Sequence, residues 1–147
     1  MRLNLGSGYK YIPGYVNIDI RKEVKPDMVV DISQIGLPFK SNTAEEVRAF
    51  DFLEHIPLGR TVFVMEEIYR VLLCGGRFES FTPDAEKGQG AFQDPTHLSF
   101  WVENSWLYYR HLFNTIHVKR LQTDRSVWHL HVLAIKNEKS IDNHTGH

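Results

Sequence analysis

The sequence predicts a single α/β domain built on an open, mostly parallel sheet. Short runs rich in β-forming residues recur along the chain, and one segment between two of them has apolar residues at helical spacing. The last two runs are separated by a short polar stretch, which is typical of an antiparallel pair. We therefore expect parallel early strands and a carboxyl-terminal antiparallel hairpin within one domain, residues 1–136.

Composition and charge exclude several functional classes. Hydrophobic residues make up 42% and charged residues 24% of the 147 residues, which are ordinary values for a globular protein. A net charge of -1 provides no global field to attract nucleic acid or an anionic membrane surface. The single cysteine, Cys74, rules out an internal disulfide framework. Since the chain also lacks a long apolar stretch and an amino-terminal signal sequence, we expect a cytoplasmic protein.

The first two strands are predicted at residues 3–5 and 15–20. The first alternates between apolar and polar side chains and is closed by Gly6-Ser7-Gly8, a turn that needs unusual backbone angles or close approach of a ligand. The second also alternates at period two and carries Asp19 near its end. Both strands therefore end in residues suited to ligand binding.

The next two strands are predicted at residues 28–32 and 46–50. The first is a continuous apolar run, typical of a strand buried on both faces, and Asp31 lies at its carboxyl end. The second is followed directly by Asp51 and Phe52. A carboxylate thus marks the end of the second, third and fourth predicted strands.

The rest of the chain supplies one long helix, a fifth strand and the hairpin. Residues 59–73 have the apolar spacing of a helix face, and Gly75-Gly76 is expected to end that helix. The remaining predictions are a strand at 77–82 closed by Pro83-Asp84, a loop at 85–95, a helix in the second half of 100–113, hairpin strands at 116–122 and 127–136, and a disordered tail at 137–147.

The first two connections are too short for the usual crossover helices. Nine residues separate Leu5 from Tyr15, whereas a parallel crossover with a helix usually takes a dozen or more. Seven residues, Pro26 among them, separate Ile20 from Met28. One face of the sheet should therefore be poorly covered. An exposed apolar face commonly marks an interface, so we expect a homodimer or another partner there.

Glycines after the first strand and a carboxylate ending the second favour a nucleoside-containing ligand. In an open α/β sheet, ligands bind at the carboxyl ends of the strands. Glycines let the backbone approach such a ligand, and a carboxylate such as Asp19 can accept hydrogen bonds from both ribose hydroxyls. The dinucleotide fingerprint lacks its third glycine, because Tyr11 stands at that position. A nicotinamide-dependent enzyme is therefore disfavoured.

The order of these motifs resembles the class I S-adenosylmethionine-dependent methyltransferases, in particular small members with a glycine-rich start and a Leu-Glu-His segment. The resemblance covers about residues 1–84 and rests on the segments at 3–8, 16–19, 31–32, 37–39, 52–55, 67–72, 75–76 and 83–84. It implies a Rossmann-like fold and S-adenosylmethionine as cofactor.

The resemblance also implies a role for each residue of the cofactor site. Gly6, Ser7 and Gly8 would border the methionine part of the cofactor, and Asp19 would hold the ribose hydroxyls. Asp31 and Ile32 would border the adenine, while Asp51 and Phe52 would line the sulfonium side. The methyl acceptor stays unidentified. A noncatalytic binding or assembly module that keeps the fold is the alternative.

Histidines are the other candidates for chemistry. His97 lies three residues after Asp94 in a segment rich in aromatic residues, which makes it a candidate base or acceptor contact, although a packed histidine is the commoner case. For His55 a structural role is expected. His129 and His131 share one strand face, but no third ligand follows at a strong spacing, so no metal site is predicted.

Overall fold

The computed structural model describes residues 1–137, which form a seven-stranded sheet with the strand order β3-β2-β1-β4-β5-β7-β6. β1, β2, β3, β4 and β5 are parallel, and β7 pairs antiparallel with both β5 and β6. This confirms the predicted sheet and its hairpin. The strands are β1 (Arg2–Leu5), β2 (Val16–Asp19), β3 (Met28–Val29), β4 (Ala44–Phe50), β5 (Leu72–Gly88), β6 (Thr115–Asp124) and β7 (Val127–Ile135).

Three α-helices connect these strands, and only one is longer than a single turn. They are α1 (Ile32–Ile35), α2 (Thr61–Val71) and α3 (Gly90–Gln93). Short 3-10 helices occupy Lys22–Val24, Leu53–His55, Leu58–Arg60 and Glu103–Tyr109. No helix among residues 1–137 is both long and apolar enough to span a membrane. All but the first residue of the predicted tail lies outside the described residues.

The apolar core lies between α2 and one face of the sheet. α2 buries Val64, Met65 and Ile68, which recur at the spacing of one helix face, while Val62 on the opposite face is exposed. Phe78 of β5 is fully buried in the same core. Trp106 and Phe113, from the connection between β5 and β6, close this core with aromatic side chains.

Hydrogen bonds from one buried asparagine hold the helix-free crossover between β1 and β2. The Asn17 Oδ1 accepts from the Ile12 amide and from the Asn4 side chain, both at 2.9 Å. The Asn17 Nδ2 donates to the carbonyls of Ile12 and Tyr15 and to the carboxylate of Asp27. The connection from β2 to β3 contains only the 3-10 turn at Lys22–Val24. Both connections lack α-helices, as their lengths predicted.

Four predicted elements differ from the structure. The third strand ends at Val29, so Asp31 lies beyond it, at the residue preceding α1, and Ile32 begins that helix. The fifth strand is longer than expected at both ends. It begins at Leu72, directly after α2, so Gly75-Gly76 lie within the strand and do not end the helix. Pro83-Asp84 does not end it either, and β7 pairs with it as far as Gly88. The predicted 85–95 loop contains the end of β5 and α3, and the helical part of 100–113 is a 3-10 helix at Glu103–Tyr109.

Over β4 and β5 the sheet face opposite α2 is uncovered, but it is not a continuous apolar surface. Over β1 and β2 the same face carries Asn4 and Asn17, which the crossover loop buries. Arg77 and Glu46 form an ion pair of 3.4 Å across neighbouring strands. The Arg48 guanidinium lies 3.7 Å from the centroid of the Phe50 ring, and the ring of His131 stacks on Phe81 at 4.6 Å. The prediction of a poorly covered face thus holds over β4 and β5, whereas its expected apolar character is wrong. Charged and aromatic side chains shield the sheet where helices would normally pack.

Candidate functional site

A cavity of about 590 Å³ opens at the carboxyl ends of the first strands. This is where an open α/β sheet is expected to bind its ligand. Its walls come from the ends of β1, β2 and β4, from α1, and from the segment at 96–98. Six of the eight predicted cofactor residues line it: Gly6, Asp19, Asp31, Ile32, Asp51 and Phe52.

The turn after β1 requires glycine at two positions. Gly6 has a φ of 62° and Gly8 a φ of 51°, both in the left-handed region that favours glycine. A Cβ atom on Gly6 would lie 2.6 Å from the Phe52 ring, so a side chain there would clash. Ser7 and Gly8 do not line the cavity, and Ser7 is buried. They hold the turn in place, with the Ser7 amide donating to the carbonyl of Ile18.

Asp19 is a buried carboxylate at the end of β2. Its Oδ2 accepts a hydrogen bond from the Gly8 amide at 2.8 Å, which ties the glycine turn to β2. Its Oδ1 accepts from the Arg21 amide at 2.9 Å and lies 3.3 Å from the Arg21 Nε. Since a carboxylate has about four lone-pair positions, Asp19 keeps limited capacity for a ligand hydroxyl unless the exposed Arg21 side chain moves away.

Asp31 and Ile32 form the wall on the α1 side. Asp31 precedes the helix and accepts a hydrogen bond from the Ser33 hydroxyl at 2.6 Å. Ile32 is buried and presents an apolar side chain next to this carboxylate. A polar group beside an apolar wall suits a flat heterocycle that also carries hydrogen-bonding groups.

Asp51 and Phe52 form the wall after β4. Asp51 has a φ of 54°, which is unusual for a residue other than glycine and holds the chain in a sharp turn. Its Oδ1 lies 3.3 Å from the Nε2 of His129, and the hydrogen bond from this imidazole lowers the pKa of the Asp51 carboxyl. Asp51 is thus held as a carboxylate at this edge of the cavity.

The predicted base, His97, does not line the cavity. Its side chain is buried, and its Nδ1 lies 2.8 Å from the carbonyl oxygen of Ala91. The ring of His55, which does line the cavity, meets it edge to face with centroids 5.1 Å apart.

The sequence places Glu54 after the fourth strand but assigns it no role, and the structure puts it beside both histidines. Its carboxylate is buried, and burial raises its pKa to about 8, with the negative charges of Asp51 and Asp94 acting in the same direction. Among residues 1–137 no group donates a hydrogen bond to its Oε1. Glu54 is the middle residue of the Leu-Glu-His segment, and no pattern in the sequence indicates that its carboxylate is buried. Only the fold reveals it.

Pro83-Asp84, also part of the resemblance, lies away from the cavity. Asp84 is fully buried, and its Oδ2 lies 3.0 Å from the Nε of Arg120 on β6. Its Oδ1 accepts a hydrogen bond from the Glu86 amide at 2.9 Å. This carboxylate anchors the long β5 strand to the hairpin rather than facing the cavity.

Comparison with solved structures identifies the fold. A S-adenosylmethionine-dependent methyltransferase from Archaeoglobus fulgidus is 12% identical, with a TM-score of 0.77 over 92% of this chain and 85% of that one. The [4+2]-cyclase SpnF is 13% identical, with a TM-score of 0.69 over 94% and 75%. No protein-family model and no curated protein matches this sequence.

A third structure is an enzyme in complex with S-adenosylhomocysteine, which is what remains of the cofactor after methyl transfer. Phosphoethanolamine N-methyltransferase 2 from Haemonchus contortus, in complex with phosphomonomethylethanolamine and S-adenosylhomocysteine, is 12% identical, with a TM-score of 0.67 over 93% of this chain and 49% of that one. Identities this low establish the fold alone. The chain has the class I methyltransferase fold, as the resemblance predicted, and a cyclase among its neighbours shows that this fold supports more than one activity.

Proposed function

We propose that this chain is an S-adenosylmethionine-dependent methyltransferase acting on a small-molecule acceptor. One observation carries the proposal: six residues chosen from sequence for a cofactor site surround a single cavity at the carboxyl ends of the strands. The volume of about 590 Å³ is within the range of pockets that hold drug-sized ligands. The solved structures with this fold that are named methyltransferases support the same activity.

Different residues of the cavity would contact different parts of the cofactor. Gly6 would let the backbone approach the methionine part, and Asp19 would accept hydrogen bonds from the ribose hydroxyls after the Arg21 side chain moves aside. Asp31 and Ile32 would contact the adenine. Phe52, packed against Gly6, would border the sulfonium. Ser7 and Gly8 would act indirectly, by holding the turn.

Methyl transfer itself requires few catalytic groups from the protein. The sulfonium carbon is already electrophilic, so the chain needs to hold an acceptor in line with it and exclude water. The acceptor's electron pair forms the new bond to the methyl carbon while the carbon–sulfur bond breaks and leaves its electrons on sulfur. The wall formed by His55, Thr96 and Leu98 is where we place the acceptor.

The first test is calorimetric titration with S-adenosylhomocysteine. We expect 1:1 binding that Asp19→Ala weakens by about tenfold or more, because at least one hydrogen bond to a charged acceptor is lost. Glu23→Gln is the matched control, since Glu23 is exposed and away from the cavity. Absence of heat at millimolar ligand, with the protein folded, would refute cofactor binding by this chain.

The second candidate is a noncatalytic binding or assembly module. It is favoured by the contact of Arg21 with Asp19, which occupies part of the carboxylate a ribose would need. Arg21→Ala separates the two functions. If Arg21 merely screens the site, its removal should strengthen binding of S-adenosylhomocysteine, whereas a module without cofactor affinity stays indifferent.

We also propose that the uncovered sheet face contacts a second copy of this chain. Ion pairs such as Arg77 with Glu46 leave charges of both signs on one surface, which allows self-complementary pairing about a twofold axis. Sedimentation should then show a dimer at micromolar concentration, and a stable monomer would contradict the proposal.

The single cysteine suits a reducing compartment, and we propose a cytoplasmic location, testable by cell fractionation.

A further inference from the structure

Three potential metal ligands converge beside the cavity although they come from two distant segments. Glu54 and His55 belong to the 3-10 turn that follows β4, and His97 follows α3. One ligand atom from each of the three side chains lies within 4.8 Å of the other two. Because the sequence separates these segments widely, no ligand spacing predicts this group.

Backbone hydrogen bonds hold the two segments together. The amides of Leu98 and Ser99 donate to the carbonyl of Glu54, at 2.7 and 3.1 Å. The Ser99 hydroxyl donates to the carbonyl of Leu53 at 2.8 Å. Three hydrogen bonds thus fix the turn carrying Glu54 against the segment carrying His97, so the convergence is built into the fold.

Both imidazoles are oriented as metal-binding histidines are. The Nδ1 of His97 lies 2.8 Å from the carbonyl of Ala91, and the Nδ1 of His55 lies 3.3 Å from the carbonyl of Thr96. A carbonyl oxygen only accepts, so Nδ1 carries the hydrogen in each ring and Nε2 keeps its lone pair when the ring is neutral. Histidine ligands usually donate their other ring N–H to such a carbonyl or to a carboxylate.

The carboxylates complete a group of facing acceptors. The buried Oε1 of Glu54 has no hydrogen-bond donor among the described residues, and the Oδ2 of Asp94 lies 3.5 Å from the Nε2 of His97. The other oxygen of Asp94 is already used, since its Oδ1 accepts from the Thr96 amide and hydroxyl. A cation bound among these facing lone pairs would stabilise them.

We propose that Glu54, His55 and His97 bind one divalent transition ion of the zinc type, with Asp94 as a fourth ligand. Two imidazoles with carboxylate oxygens suit such an ion, whereas magnesium and calcium prefer six or more oxygen ligands. Ligands bound to zinc at roughly 2.0–2.1 Å in a tetrahedron lie about 3.4 Å apart. The 3.5 Å between Asp94 and His97 already fits, and the exposed His55 side chain can close the remaining distance.

The ion would lie next to the cavity, since His55 is one of its lining residues. An oxygen or nitrogen of an acceptor bound in the cavity could then displace the weakest ligand. This consequence rests on the proposed function, whereas the metal site itself does not.

The test is metal titration of the full chain after treatment with a chelator. Cobalt(II) should add visible d–d absorption bands at 1:1 stoichiometry, and zinc should displace it, while magnesium should not. Glu54→Gln and His97→Gln should each weaken cobalt binding by on the order of 100-fold, because even changes to groups behind the ligands cost 10–100-fold. Asp94→Asn should have a smaller effect of roughly tenfold.

Two controls separate this site from other histidines. His117→Gln alters an exposed histidine on β6, and a His144→Gln/His147→Gln double variant removes the two histidines beyond residue 137; both should leave the affinity unchanged. Binding that survives Glu54→Gln and His97→Gln but falls in either control would overturn the proposal. So would the absence of cobalt bands in a protein that circular dichroism shows to be folded. Because S-adenosylhomocysteine binding is measured separately, the two proposals can fail independently.

Discussion

The two halves of this sheet are held in place by different forces. On the side of β4 to β7, α2 and an aromatic cluster bury an apolar face against β5. On the side of β1 to β3, two crossovers without α-helices are fastened by hydrogen bonds to Asn17. The difference shows that a strand crossover can lose its helix when buried polar groups satisfy the backbone of the shortened loop.

The same contrast extends to the carboxylates of the two halves. Glu54, next to β5, is buried without a hydrogen-bond donor to its Oε1, and its pKa is raised. Asp27, next to β2, accepts hydrogen bonds from the Asn17 amide, the Asn17 side chain and the Tyr11 hydroxyl, and these lower its pKa. The two regions should therefore respond to pH in opposite directions.

The largest expected effect is the pH dependence that Glu54 imposes on the metal-free protein. Its pKa rises from 4.5 to about 8 on folding, so the stabilising contribution is complete below pH 4.5 and is lost as pH rises to about 8. The loss in unfolding free energy amounts to about 5 kcal/mol at most, since each pKa unit corresponds to about 1.4 kcal/mol. Urea unfolding in chelator at several pH values measures it. Glu54→Gln should flatten this dependence, and equal slopes in both proteins would contradict the assignment.

The next largest effect is expected from truncating Phe78, the aromatic residue at the centre of the apolar core. Phe78→Ala leaves a cavity between α2, Trp106 and Phe113, and should lower the unfolding free energy by about 3–5 kcal/mol. Phe50→Ala on the uncovered face is the matched control and should cost only about 1 kcal/mol, the value of a partly exposed aromatic and cation–π contact. Equal losses measured by urea denaturation would mean that both faces contribute alike.

Asn17→Ala tests the polar half directly. It removes two accepted and three donated hydrogen bonds and leaves buried partners unsatisfied, so we expect a loss of about 2–3 kcal/mol in unfolding free energy. Because the loop it holds carries Gly8, binding of S-adenosylhomocysteine should weaken as well. Asn104→Ala, an exposed asparagine, is the control. A change below about 0.5 kcal/mol would show that the crossover is held by other contacts.

Much of this architecture could be predicted from local patterns. The strands at β1, β2, β4, β6 and β7 and the helix α2 follow from period-two and helical spacing, and the missing crossover helices follow from loop length alone. The end of β5 could not be predicted from the sequence. Proline ends a strand only where the neighbouring strand needs a hydrogen bond from the amide that proline lacks, and here pairing with β7 continues past Pro83. The third strand is shorter than predicted, since the apolar Val30 and Ile32 fit equally well a longer strand or the start of a helix.

The part of the candidate site that lies at strand ends could be predicted from the sequence. The part that is formed by packing between distant segments could not. Gly6, Asp19 and Asp51 end strands whose carboxyl ends share one edge, so their meeting follows from topology. Glu54 and His97 meet because the turn after β4 packs on the segment after α3, a contact between residues far apart in sequence. Tertiary contacts of this kind leave no periodicity in the chain.

The smallest expected effect is the pH dependence of stability that Asp27 imposes, opposite in sign to that of Glu54. Since hydrogen bonds lower the pKa of Asp27 below 3.8, its contribution to stability is present above that pH and is lost as pH falls through its folded-state pKa. Asp27→Asn should therefore lower the melting temperature modestly at pH 7, and the difference from the unaltered protein should shrink in acid. Glu23→Gln, an exposed acid beside the same crossover, should show no such convergence. If the Asp27→Asn deficit instead stayed constant from pH 7 to pH 3, the Asn17 network would depend on hydrogen-bond geometry rather than on charge.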